Sequence, residues 1–247
     1  DTFHSRAAAS ISTVRAAAPP ARTYWCDSRM PRLPPVPKSR QMRLRARLWP
    51  GVGKLDGGSW DVDNNVWIVG DASEVIVVDA AHDLDAIRAA VGGRHVVAVV
   101  CTHGHNDHIT CAPELGAVLD APVLLNPGDE MLWRMTHVSK DFRPLSDGQT
   151  LRAGGVEIRA IATPGHSPGS TCLYAPDLGA LFSGDTLFQG GPGATGRSFS
   201  DFPTILGSIK DRLGALPADT VVYTGHGDTT RIGDELVNYD DWVARGH

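Results

Sequence analysis

Residues 96–108 place the tightest constraint on how this 247-residue chain can fold. Val96-Val97-Ala98-Val99-Val100-Cys101 is an uninterrupted apolar run with the length of a buried strand. It leads directly into Thr102-His103-Gly104-His105-Asn106-Asp107-His108, and a helix-like segment follows over 109–119. Strand, polar loop and helix in that order form an α/β unit, and such folds place their chemistry on loops at strand carboxyl ends. On extended chain, side chains at i and i+2 point the same way, so His103 and His105 can share one ion. Asp107 and His108 face a neighbouring position as the chain turns into the helix. Imidazole with carboxylate suits zinc, and also iron or manganese. The plain alternative is an exposed polar turn, but three histidines and an aspartate within six positions weigh against it.

The length allows one large α/β domain or two small ones, and 42% apolar residues suffice for a core. A net charge of −5 argues against sequence-independent nucleic-acid binding. Charge is unevenly spread: the first fifty residues hold nine Arg and one Lys against Asp1 and Asp27. Residues 1–41 are rich in Ala, Arg, Ser and Pro, and Pro19-Pro20 and Pro34-Pro35 interrupt any regular element. They read as a disordered N-terminal extension ahead of a domain over 42–247. An organelle transit peptide is the competing reading; a start placed upstream of Met30 or Met42 is favoured over it, because helical amphipathicity is poor. Cys26, Cys101, Cys111 and Cys172 show no CxxC spacing, with Cys101 and Cys172 read as buried small hydrophobes. That fits a reducing, cytoplasmic setting. There is no apolar run of about 18 residues, so no transmembrane helix or membrane partner is expected.

Strands are expected at 43–49, 65–69, 74–79, 96–101, 122–125, 156–163, 171–175, 180–183 and 220–224. Gly70-Asp71-Ala72-Ser73 reads as the turn of a hairpin. Helices are expected at 83–91 with Asp83 as N-cap, and at 109–119, 128–135, 202–216 and 232–244. Residues 185–202 read as a glycine-rich surface loop. His103, His166, Asp185 and His226 each lie just past the end of a separate strand, beside glycine, which leaves space for a bound ion. Two sheets delivering loops to one edge would bring these points together.

Four motifs resemble those of one family in matching order. They are Thr102-His103-Gly104-His105-Asn106-Asp107-His108, Thr163-Pro164-Gly165-His166-Ser167-Pro168-Gly169-Ser170, Ser183-Gly184-Asp185-Thr186-Leu187-Phe188 and Gly225-His226-Gly227. They resemble the metallo-beta-lactamase-fold hydrolases, and among these the glyoxalase II-like (hydroxyacyl-thiol hydrolase) subgroup, over about residues 43–247. The resemblance implies an α/β fold, a four-layer αβ/βα sandwich of two mixed sheets flanked by helices. It implies two metal ions, zinc first, with iron or manganese as alternatives. His103, His105 and His166 would hold one ion; Asp107, His108 and His226 the other; Asp185 would bridge them. It also implies a small-molecule substrate, a thioester of a low-molecular-weight thiol, attacked by a metal-bridging hydroxide.

The ligand types support that chemistry directly. Two cations about 3.5–4 Å apart lower the pKa of a shared water, and one polarises the carbonyl. Asp107 is the expected catalytic side chain, steering the hydroxide and then protonating the leaving group. Two departures narrow the family's range. One common branch of the beta-lactamases proper carries cysteine where Asp185 stands and lacks a ligand at the position of His108, so antibiotic hydrolysis is disfavoured. The chain stops soon after Trp242, which disfavours glutathione as carrier, because glutathione-specific members add a C-terminal helical region. Arg197, in the loop 190–198, is a candidate for pairing with a substrate carboxylate, against a role as a surface arginine stabilising the loop.

His82 and His95 read as surface or turn residues and His137 as structural. Asp79 reads as a hydrogen-bond partner of the metal loop, and Trp60 and Trp67 as core or rim aromatics. The competing functions are a mononuclear-iron persulfide dioxygenase using His103, His166 and Asp185, a lactone hydrolase, and a non-enzymatic binding protein on the same fold. The last would be marked by lost ligands, and none is missing. The acyl group, the thiol carrier and the oligomeric state stay open at this level.

Overall fold

The computed structural model describes Ser10–Ser12, Met42–Arg47 and residues 61–246. Most of the stretch 1–41, and Trp60, lie outside the described residues.

The first mixed sheet contains β1 (Ser10–Ser12), β2 (Met42–Arg47), β3 (Asp61–Gly70), β4 (Glu74–Val78), β5 (His95–Val100), β6 (Val123–Leu125) and β7 (Arg143–Pro144). Its order is β1-β3-β4-β5-β6-β7, with β2 also on β3. Ser10–Ser12, within the stretch read as an extension, pairs antiparallel with Ile68–Gly70. β3 and β4 form the expected hairpin, and β4 to β7 run parallel.

The second sheet contains β8 (Thr150–Ala153), β9 (Val156–Ala162), β10 (Thr171–Ala175) and β11 (Ala180–Gly184). A small separate ribbon follows, β12 (Leu187–Phe188) with β13 (Gly191–Pro192). β14 (Val221–Thr224) and β15 (Thr230–Arg231) complete the second sheet, in the order β15-β14-β11-β10-β9-β8.

Period-2 alternation decides the layers. In β3 and β4, Ile68, Val75 and Val77 face the helices α1 (Leu84–Val91), α3 (Ala112–Val118) and α4 (Glu130–Thr136). Trp67, Val69, Ile76 and Val78 face the other way, onto Ile158, Leu173, Phe182 and Tyr223 of the second sheet. The far side of that sheet, with Cys172, Leu181 and Val222, packs on α5 (Phe202–Gly207) and α7 (Tyr239–Arg245). The result is the expected four-layer αβ/βα sandwich. Among the described residues no helix is long and apolar enough to cross a membrane.

Several expected elements differ in extent. The helix expected at 109–119 is two: α2 (Asn106–Ile109) and α3, broken at Thr110 and Cys111. The break follows from Pro113 in the first turn of α3, which has no N–H to continue a helix, and from Cys111 N–H donating to Ala80 O. The helix at 202–216 is α5 followed by a π-helical turn at Ser208–Leu213, and the last helix divides into α6 (Ile232–Leu236) and α7. The segment 185–202 is less superficial than expected. Thr186, Leu187, Gly191 and Gly193 are buried, and the β12–β13 ribbon folds its first half back on the sandwich.

Candidate metal centre

All seven expected ligands lie at one edge, where the carboxyl ends of β5, β9, β11 and β14 meet. Among the described residues three groups of donors have their ligand atoms within 4.8 Å of one another. One is His103, His105 and His166, and another is Asp107, His108 and His226. The third, His103, His108 and Asp185, links the first two. Asp185 reaches both sides: Oδ1 is 3.3 Å from His108 Nε2, and Oδ2 is 3.6 Å from His166 Nε2 and 3.4 Å from His226 Nε2.

The outer hydrogen bonds fix which ring nitrogen faces inward. His226 Nδ1 donates to Asp63 O at 2.8 Å, and His166 Nδ1 to Ala194 O at 2.8 Å. Asp79, at the end of β4, accepts from Thr102 N–H at 2.7 Å and from its hydroxyl at 2.8 Å, and lies 3.0 Å from His108 Nδ1. Because the Thr102 hydrogen is committed to Asp79, its oxygen accepts from His103 Nδ1 at 3.1 Å. These four rings therefore turn Nε2 to the centre, the atom a cation would bind in place of a proton.

The inward atoms have the spacing of a coordination shell. Bonds of about 2.0–2.1 Å at tetrahedral angles put ligand atoms about 3.3 Å apart. His105 Nδ1 and His166 Nε2 are 2.9 Å apart, His108 Nε2 and His226 Nε2 3.1 Å, and His226 Nε2 and Asp107 Oδ2 3.3 Å. At such distances each pair needs a proton or a cation between its two atoms. His103 Nε2 and Asp185 Oδ1 are buried without a hydrogen-bond partner, as donors awaiting a cation would be.

Charge balance gives the same result. Burial alone would raise the Asp107 and Asp185 carboxyls, but His108 and His226 hold both below the ordinary carboxylate range. Conversely, burial opposes a charge on His226, yet Asp185 and Asp107 push it up to about 10. Burial, then His166, drives His105 down to about 4. Burial, then His108 and His105, drives His103 well down. Two ionised carboxylates thus draw positive charge, as protons or as cations, to a ring of imidazoles. Gly225 lets them meet: a Cβ there would lie 2.2 Å from Asp185 Oδ1 and 2.7 Å from His108 Cε1.

The other sequence readings divide. Asp79 holds the loop, as expected. His137 Nε2 lies 2.9 Å from Ile109 O, a structural bond, and His95 is exposed. Trp67 is core, donating to Thr224 O at 3.0 Å. Arg197 lies on the exposed part of the loop that follows Ala194, the anchor of His166. His82 is more than a turn residue, because its ring reaches inward to Asn64 at 2.7 Å.

Sequence reasoning missed Asn64 and Asp129. Asp129 Oδ2 accepts from Gly104 N–H at 2.7 Å and from Ser167 Oγ at 2.6 Å, and Oδ1 accepts from Gly169 N–H at 2.6 Å. It clamps the His103–His105 loop to the His166 loop. Nothing local marks it; a buried carboxylate at the start of a helix reads like any N-terminal acidic residue. For Asn64 the available signal was the pair Asn64-Asn65 opening an apolar strand, since paired buried amides need specific partners.

The model of the metallo-beta-lactamase superfamily matches residues 60–226. The chain belongs to the metallo-beta-lactamase superfamily. Among superfamily relatives, an uncharacterized protein of Aquifex aeolicus (strain VF5) is 35% identical over 176 residues, 66% of this chain and 83% of that protein. A hydroxyacylglutathione hydrolase of Dechloromonas aromatica (strain RCB) is 34% identical over 165 residues, 66% of this chain but 58% of that enzyme. Among solved superfamily structures, TTHA1623 in a di-iron-bound form is 29% identical with a TM-score of 0.63, covering 76% of this chain and 97% of that one.

Proposed function

We propose that the chain is a dinuclear metal-dependent hydrolase that cleaves thioesters of a low-molecular-weight thiol. The observation that carries this is the pair of three-donor groups with Asp185 reaching both. His103, His105 and His166 would hold one ion and Asp107, His108 and His226 the other, with Asp185 between them. When bound, two divalent cations supply an acidified water as nucleophile and a Lewis acid for the carbonyl. Zinc suits the nitrogen-rich set, and iron is the alternative that the di-iron relative supports.

The protein's own part is orientation and proton handling. Asp107, at the partly open rim, accepts a hydrogen bond from the attacking water and aims it. Its low proton affinity makes it a reluctant acid. A thiol, with a pKa of about 8.5, departs as thiolate with little need of protonation, whereas a lactone's alkoxide needs a proton. That difference favours the thioester. The likeness to hydroxyacylglutathione hydrolase supports the same class, and because the chain spans 58% of that enzyme, glutathione itself is left out of the proposal. Arg197 is assigned to a carboxylate on the substrate. The buried free thiols Cys101, Cys111 and Cys172 suit a reducing cytoplasm.

The test is a panel of thioesters and lactones against purified protein whose metal content is measured on the same sample. Thioester turnover at about two ions per chain is expected. Failure of zinc-loaded protein to cleave any thioester or lactone sinks the proposal. One iron per chain, with oxygen uptake on a persulfide, replaces it with the dioxygenase.

A further inference from the structure

The turn between β4 and α1 holds two residues other than glycine in the left-handed region, Asp79 at φ 56 and His82 at φ 61. That conformation disfavours an L side chain and is free for glycine, so a side chain kept there needs a reason. Asp79 has one in its bonds to Thr102 and His108. His82 has its Nε2 2.7 Å from the Oδ1 of Asn64. Asn64 is fully buried, and its Nδ2 lies 3.3 Å from Asp107 Oδ2 and 3.3 Å from His108 Nε2.

The polarity of this chain of contacts is forced. The Asp107 carboxylate only accepts, so Asn64 turns its NH2 toward it. The Asn64 carbonyl then faces His82, whose Nε2 must carry the hydrogen. Donation runs one way, from His82 to Asn64 to Asp107. On its other side Asp107 Oδ2 meets His226. The amide therefore anchors the carboxylate from one side, and the imidazole nitrogen facing it from the other belongs to the same donor group. The first donor group, His103, His105 and His166, has no part in this chain of contacts.

Resting on the dinuclear reading above, we propose that His82 and Asn64 are positioning residues for Asp107 and tune the binding of one of the two cations, the one held by Asp107, His108 and His226. His82 touches neither substrate nor ligand; it acts through the amide.

The test compares metal-free wild type with His82→Gly and Asn64→Ala, titrated with cobalt(II) against a competing chelator, together with the Tm of each metal-free protein. Glycine is the informative replacement, because it removes the ring and relieves the backbone. Expected is a loss of about 10–100-fold in one of the two stepwise affinities, the other unchanged, with the cobalt absorption of the weakened site altered. The metal-free Tm of His82→Gly should equal or exceed that of wild type. His82→Gln, which offers an N–H at similar reach, should recover part of the lost affinity. With a cleaved thioester, kcat should fall while KM holds. Wild-type affinities for both ions in His82→Gly overturn the proposal, as does equal weakening of both. The metal readout needs no substrate. Wild type that binds two ions but cleaves neither thioester nor lactone sinks the hydrolase reading alone, and the affinities still decide the tether.

Discussion

Asp129 shows how much a single buried carboxylate can organise. Its three hydrogen bonds reach two loops separated by about sixty residues of chain, and both loops carry candidate ligands. Removing it leaves the Gly104 and Gly169 N–H groups unpaired in a dry interior and takes one of two partners from the Ser167 hydroxyl. Asp129→Ala should destabilise the fold by about 3 kcal/mol or more, a fall in Tm of roughly 6–12 °C. Differential scanning calorimetry of the metal-free protein reads this; a shift under 2 °C, on the order of 1 kcal/mol or less, would show the clamp to be dispensable. Gly225 offers a second check at this scale. A methyl group at that position collides with Asp185 and His108. Gly225→Ala should fold with bound metal reduced by half or more, on the order expected when a ligand is displaced. Full retention of metal by elemental analysis contradicts the geometry.

Helices and strands were largely legible one at a time, because the signals that start them are local. Asp83 reads as an N-cap in the sequence, and its side chain accepts from Ala86 N–H at 2.9 Å. Asp83→Ala should cost about 1 kcal/mol, or roughly 2–4 °C in Tm, without changing metal content. Loss of metal in that variant would tie α1 to the centre more closely than its contacts indicate. The misread elements are those where a distant partner interrupts a local pattern. The break between α2 and α3 follows Cys111 N–H to Ala80 O, and Ser208, where α5 gives way to the π turn, donates its hydroxyl to Pro164 O at 2.7 Å. Both partners lie on segments that carry the site.

At the scale of the whole molecule, the two sheets share one aromatic seam, Trp67 against Phe182 and Tyr223, with ring centroids 6.1 and 4.8 Å apart. Next to that seam the two sheets present their ligand-bearing loops at a common edge. Metal binding should therefore stabilise the sandwich as a unit. At free metal about 100 times its Kd, each site adds about 2.7 kcal/mol, so Tm should rise on loading and fall with a chelator. Because the imidazoles and carboxylates bind only when unprotonated, acidification should release the metal and remove this gain. A Tm indifferent to metal, chelator and pH would contradict the centre.

The sequence by itself determined the candidate ligands and the strand ends they stand on. These are local matters, set by side-chain type, period and the residues that start or stop an element. Tertiary structure alone decided which residues support them. Period 2 tells which way Asn64 points but not that Asp107 lies opposite, and a histidine in a turn gives no sign that its ring will reach a buried amide. Such contacts join residues far apart in the chain, and they exist only once two sheets have packed and closed the distance.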